Sequence, residues 1–214
     1  MKDIAVYGAG GFGRETAWLI QEINQAADTW NLVGFFDDGE KRGAVIEGLP
    51  VLGGMTELNA TTETIDVVVA IADPATRKKV VTSITNRKIS FPQVVHPTAR
   101  LGSPSNKFGR GCIITAGVIL TTGISVGEFS IINLATTVGH DSRLSDYCSV
   151  MPQCSISGNV LFGEEVFVGA GARILQGITL GEKSVIGAGA VVTKSFPASS
   201  RLIGVPAQHV PSAS

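Results

Sequence analysis

The sequence predicts two domains of different class: an α/β domain of half-Rossmann size over residues 1–92, followed by a parallel β-helix of hexapeptide repeats over residues 93–214. Three observations predict it. A glycine-rich loop lies between an apolar strand and an amphipathic helix near the start, in GAGGFG. A strict period of six residues runs through the second half. The composition, 44% hydrophobic but only 6% aromatic, asks for a core of Val, Ile, Leu and Ala.

In the front domain, Asp3–Tyr7 reads as a buried strand and Arg14–Asn24 as a helix with apolar residues at Ala17, Leu19, Ile20 and Ile23. Leu32–Phe36 is a second strand, ending at Asp37 and Asp38, and Thr64–Ala72 a third. Asp73 caps a helix from Pro74 through Lys88, with proline in its first turn. The order is β-α-β-β-α, a small parallel sheet. Gly8, Gly10 and Gly13 match G-x-G-x-x-G with a strand before and a helix after. Glycine there lets backbone N–H groups approach a phosphate at the helix N-terminus. Asp37 and Asp38, at the end of the next strand, are placed to take ribose or base donors. About 90 residues supply one mononucleotide-binding half, so a single nucleoside diphosphate fits better than a dinucleotide.

The period of six begins at Phe108. Every sixth residue from there to Val192 is aliphatic or Phe, fifteen in succession: Phe108, Ile114, Leu120, Val126, Ile132, Val138, Leu144, Val150, Ile156, Phe162, Val168, Ile174, Leu180, Ile186 and Val192. Neither a helix nor an ordinary strand produces that period. Three hexads close one triangular coil of 18 residues, and coils stack at about the 4.8 Å strand spacing. Earlier hexads at Val95 and Leu101 fit if the loop SPSNK holds one extra residue. Cys112, Cys148 and Cys154 take the fifth hexad position, pointing inward as small apolar groups. The first and second of them are two coils apart, beyond disulfide reach.

A net charge of −1 gives no reason to expect nucleic acid or an anionic membrane surface, and no apolar run is long enough to span a membrane. The start is too short in apolar residues for a secretory signal, so a cytoplasmic protein is expected, with PSAS at 211–214 as a mobile tail.

Within TTVGHDSRL, His140 interrupts the rhythm of Val, Ile and Gly. Asp141 beside it can orient an imidazole. Gly158 stands one coil of 18 residues later, where a bare backbone N–H could stabilise an oxyanion. Base, carboxylate and amide together suit acyl transfer. A metal is not expected, because His96 and His209 lie outside the regular hexads and the cysteines point inward.

GAGGFG, the FFDD strand end, VGHDS, the SGNV segment and the closing IGVPA, in that order along essentially the whole chain, resemble the sialic acid O-acetyltransferase/bacterial sugar acyltransferase family. Within it, the likeness is to the nucleotide-activated amino-sugar N-acetyltransferases. The resemblance implies a left-handed β-helix, a homotrimer, acetyl-CoA as co-substrate without a metal, and a nucleotide-linked (UDP or GDP) amino sugar as acceptor in surface glycan synthesis. It further implies His140 as general base, Asp141 as its support and Gly158 as the amide facing the thioester. Ala170 and Ala188 would lie along CoA, Asn133 near the acceptor amine, and Gly8, Gly10, Gly11, Gly13, Asp37 and Asp38 around the nucleotide sugar. Phe12 and Ser149 depart from relatives that carry histidine there, and Ala72–Asp73 replaces a Gly-Asn pair. The rival readings are an O-acetyltransferase of sialic acid or another free sugar, a non-catalytic trimer that only binds a nucleotide sugar, and an NAD-dependent oxidoreductase resting on the glycine loop alone.

Overall fold

A computed structural model describes residues 1–210, so the tail expected at 211–214 lies outside the described residues. The chain divides into two compact units, Met1–Pro97 and Thr98 onward.

In the first unit β1 (Lys2–Tyr7), α1 (Gly11–Ala26) and β2 (Trp30–Phe36) follow the expected order. Then come β3 (Val45–Ile46), β4 (Leu49–Gly53), α2 (Met55–Asn59), β5 (Ile65–Val69), α3 (Pro74–Ser83) and β6 (Ile89–Ser90). The sheet order is β3-β4-β2-β1-β5-β6. Its middle is parallel and fully buried at Ile4, Ala5, Val6, Phe35, Val67 and Val68, which explains the continuous apolar runs. The sheet is mixed rather than parallel throughout, because β3 pairs antiparallel with β4. That hairpin turns on Glu47 (φ 50°) and Gly48 (φ 77°), a two-residue turn with positive φ at both centres. Glu-Gly is a weaker signal for it than Asn-Gly or Asp-Gly.

Helix α3 stops at Ser83 instead of running through Lys88. The side chains of Asn59 and Asn86 supply the reason. Asn59 Oδ1 accepts from Thr85 N–H at 2.8 Å, and Asn86 Nδ2 donates to Thr61 O at 2.8 Å. These bonds to a segment about 25 residues earlier compete with the helical ladder and divert the chain into β6.

The second unit is a parallel β-helix. Its two-residue strands stack on three faces at the spacing of one 18-residue coil, as in Ile131–Ile132 against Ser149–Val150 and Thr137–Val138 against Ser155–Ile156. The sixth-residue series is half-buried at its first member, Phe108, and buried from Ile114 to Val192, both at 0% exposed. Lys107 pairs with Ser125 at the regular spacing but Arg100 with Ile119 one residue wider, so the extra residue does lie between Arg100 and Lys107. After Val192 the repeat shortens: Val185 pairs with Arg201, two residues inside the regular coil. This last turn ends in an antiparallel return, Arg201–Ile203 against Gln208–His209, that the period of six did not announce.

Cys112, Cys148 and Cys154 are free and buried. Burial pushes the Cys154 thiol up, so it serves as an apolar core group. The inward hydroxyls are satisfied across coils. Ser142 Oγ, for example, donates to Ser157 O at 3.1 Å and accepts from Val160 N–H at 3.2 Å. No helix among the described residues is long and apolar enough to cross a membrane.

Candidate active site

The β-helix has three corners, each a column of residues one coil apart. Thr122, His140, Gly158 and Gln176 form one column. Backbone bonds from Asp141 N–H to Thr122 O (2.9 Å), Asn159 N–H to His140 O (2.6 Å) and Gly177 N–H to Gly158 O (3.0 Å) fix it. Ser142 ties the coil of His140 to that of Gly158 from inside, a role its place next to Asp141 did not reveal.

His140 Nδ1 shares a 2.9 Å hydrogen bond with Asp141 Oδ2. The ring therefore turns Nε2 toward the next coil, over Gly158. A Cβ built on Gly158 would lie 2.4 Å from Nε2, so the imidazole occupies the space that glycine leaves open. The Gly158 N–H has no hydrogen-bond partner among the described residues. Asp141 holds φ at 61°, the left-handed conformation that Asp tolerates better than most residues. The His140 and Asp141 side chains are 52% and 68% exposed.

The other residues predicted for this site stand elsewhere on the chain. Ala170 and Ala188 belong to the column Leu134, Pro152, Ala170, Ala188 at the corner after the strands Ile131–Ile132 and Phe167–Val168. Asn133 starts the same corner. It is buried, and its Oδ1 accepts from Leu134 N–H at 2.8 Å and Thr115 Oγ1 at 3.3 Å. Within one chain, His140 and the Ala170–Ala188 column are thus at different corners. Ser149 lies fully buried in a strand, away from the corner of His140. His96, in the first unit, is buried against Glu22 at 2.8 Å. Among the described residues, no three His, Cys, Asp or Glu side chains gather in a way that could hold a metal.

In the first unit Gly8, Gly10, Gly13, Asp37 and Asp38 do line one cleft, of about 420 Å³, with Tyr7, Phe12 and Ile71. Gly11 faces a different cleft beside Arg14 and Trp18. The three glycines of the motif differ in purpose. A Cβ on Gly13 would stand 1.9 Å from Gly8 O, so glycine is required for α1 to approach the loop. A Cβ on Gly10 would touch nothing within 4 Å, and Gly10 caps α1 without a side-chain hydrogen bond. The positive end of α1 is left open to an anion in the cleft.

The two aspartates are already engaged. Asp37 accepts from Ala9 N–H and Gly39 N–H, both at 2.8 Å. Asp38 accepts from Tyr7 Oη–H at 2.5 Å and Met55 N–H at 2.7 Å. The tyrosine hydroxyl, then the Met55 amide, hold the Asp38 carboxyl below the usual carboxylate range. Burial first, and then Asp38, raise the Tyr7 hydroxyl well above its ordinary value. These carboxylates shape the walls of the cleft, using one lone pair on each oxygen. Tyr7 is the partner that sequence reasoning passed over, although it directly precedes the glycine loop.

Comparison with known proteins agrees with this architecture. Residues 3–84 match the PglD N-terminal domain, and residues 160–194 the hexapeptide repeat of succinyl-transferase. GDP-perosamine N-acetyltransferase of Escherichia coli O157:H7 is 32% identical over 174 residues, 81% of this chain and 78% of that protein. The chain belongs to the hexapeptide-repeat sugar acetyltransferases. Among solved structures of this family, PerB from Caulobacter crescentus, in complex with CoA and GDP-perosamine, superposes with a TM-score of 0.87. It is 31% identical, with 99% of this chain and 98% of that one covered. The acetyltransferase domain of PglB from Neisseria gonorrhoeae, in complex with acetyl coenzyme A, gives 0.88 at 31% identity, covering 98% and 99%. As a member of the family, this chain is an acyltransferase that uses acetyl-CoA.

Proposed function

We propose that this chain transfers acetyl from acetyl-CoA to the amino group of a nucleotide-linked amino sugar, in the cytoplasm and in the service of surface glycan synthesis. The observation that carries the chemistry is His140 Nε2 standing over Gly158 while Nδ1 is held by Asp141. In the reaction the neutral sugar amine attacks the thioester carbonyl and forms the C–N bond. His140 Nε2 takes the amine proton, and the Gly158 N–H stabilises the oxyanion. Collapse of the tetrahedral intermediate breaks the C–S bond, and the proton on His140 leaves with the CoA thiolate. No covalent enzyme intermediate is needed.

The acceptor's nucleotide binds the cleft of the first unit, with its diphosphate on the open end of α1 at Gly8, Gly10 and Gly13. Asp37 and Asp38 keep further lone pairs for the nucleoside. GDP is the nucleotide favoured here, since GDP-perosamine is the ligand of the similar Caulobacter protein. CoA runs along the Ala170–Ala188 column, and Asn133 at the same corner lies toward the acceptor amine. Because that column and His140 occupy different corners, a complete site needs a second copy, and a closed homotrimer supplies three such sites.

Thermal denaturation with CoA, GDP, UDP and NAD, each added separately, tests the reading. A ligand of the native state alone must raise the melting temperature. Stabilisation by CoA and by GDP or UDP, but not NAD, is expected. A response to CoA alone would favour the free-sugar O-acetyltransferase, and a response to NAD alone would overturn the assignment.

A further inference from the structure

The column beside His140 contains a second stack: Gly123, Asp141, Asn159 and Gly177, one per coil. All four have positive φ, from 55° to 75°. Left-handed backbone alone does not demand glycine at these corners, since Phe129, Ala135, Tyr147, Gln153 and Lys183 adopt it as well. What sets Gly123 apart is what lies above it. A Cβ there would be 2.6 Å from Asp141 Oδ1, while a Cβ on Gly177, with φ at 75°, would meet nothing within 4 Å.

We infer that Gly123 is a positioning residue for acetyl transfer: its missing side chain is the space into which Asp141 lowers one carboxylate oxygen while the other holds His140 Nδ1. This rests on His140 being the base. Gly158 clears the space above the imidazole and Gly123 the space below the carboxylate, so the His-Asp pair is framed by glycines one coil to each side. A side chain at Gly123 would push the Asp141 carboxylate outward, and the 2.9 Å bond to Nδ1 would be lost or redirected. Misplacing a catalytic group by about 1 Å can cost roughly 10²-fold in rate.

The test compares Gly123→Ala with Gly177→Ala, which carries the same left-handed strain at the same corner without a carboxylate to displace. In the intact protein, Gly123→Ala should lower kcat roughly 10- to 100-fold with KM for both substrates unchanged, and Gly177→Ala should leave kcat near wild type. In an Asp141→Gly background, where glycine keeps the backbone relaxed and the carboxylate is gone, Gly123→Ala should cost nothing further. Gly123→Asn, which enters the left-handed region readily, should reproduce the loss if the alanine variant folds poorly. Wild-type turnover in Gly123→Ala, an undiminished loss in the Asp141→Gly background, an equal loss in Gly177→Ala, or unfolding of both Gly123 variants would each overturn the proposal. His140→Ala is run alongside. If it retains turnover, the assignment of the base has failed; if it is inactive while Gly123→Ala is not, only the role of Gly123 has.

Discussion

The corner at His140 and the cleft at Asp37–Asp38 both present a conspicuous acidic residue beside small ones, yet they use it in opposite ways. At the corner, the residues above and below any side chain are fixed by counting 18 along the chain, and the coil ladder ties each coil to the next through backbone bonds. A polar side chain there has little to do for the fold, and the exposed His140–Asp141 pair is available for chemistry. In the cleft, the walls come from loops at the ends of β1, β2 and β5, which are neighbours in the sheet and distant in sequence. Their backbone N–H groups need acceptors, and Asp37 and Asp38 supply them. Conspicuous polarity is thus left free on a regular lattice and is, at least in part, spent on construction among irregular loops.

Substitutions can break or sharpen that contrast. The largest effect is expected at the corner: His140→Ala should lower kcat by roughly 10²–10⁴-fold, with the melting temperature near wild type because the side chain is half exposed. Steady-state kinetics with a saturating nucleotide sugar would read it, and near-normal turnover would erase the distinction. Gly158→Val comes next. Its Cβ would meet the flexible end of His140, not backbone. We therefore expect intact folding, a kcat loss of roughly 10²-fold and weaker CoA binding by calorimetry. Unchanged CoA affinity would misplace the thioester.

In the cleft the expected effects are on stability. Gly13→Ala drives a Cβ against the Gly8 carbonyl and should destabilise the first unit by about 1–3 kcal/mol, the usual range for overpacking. Gly10→Ala meets no protein atom, so denaturant melts should show a smaller change and GDP titration a larger one. If Gly10→Ala proved as destabilising as Gly13→Ala, the open end of α1 would be structural, and no anion would be needed to explain it.

The smallest effect is a pH dependence. The Asp38 carboxyl is depressed in the folded state, so its contribution is present above the unfolded value of about 3.9 and is lost as pH falls through the folded value. Asp38→Asn should accordingly melt below wild type at pH 7, with the two curves converging below about pH 4. A gap that did not narrow at all as pH falls below about 4 would mean that the amide's shape, rather than lost charge, is what matters.

Much of this was legible because a β-helix turns sequence spacing into distance. The period of six placed Gly158 over His140, put the cysteines in the core and required an extra residue before Lys107. Gly123 obeys the same arithmetic, one coil before Asp141, but glycine is common enough at these corners that only the 2.6 Å approach to the carboxylate distinguishes it. Where the period shortens after Val192, the count ceased to apply and the return strand went unread.

The front domain yielded less. Its first strand, first helix and glycine loop follow from local pattern. The hairpin at Glu47–Gly48, the early end of α3 and the Tyr7–Asp38 bond depend on partners from 17 to 31 residues away or on unusual turn residues. The sequence by itself determined the two fold classes, the register of the coils and the pairing of His140 with Asp141 and Gly158. Only the tertiary structure decided which aspartate oxygens already have donors, and which glycine is required by sterics and which is open. The physical reason is that a repeating ladder makes neighbours periodic, whereas a cleft between loops is set by hydrogen bonds whose partners no local pattern specifies.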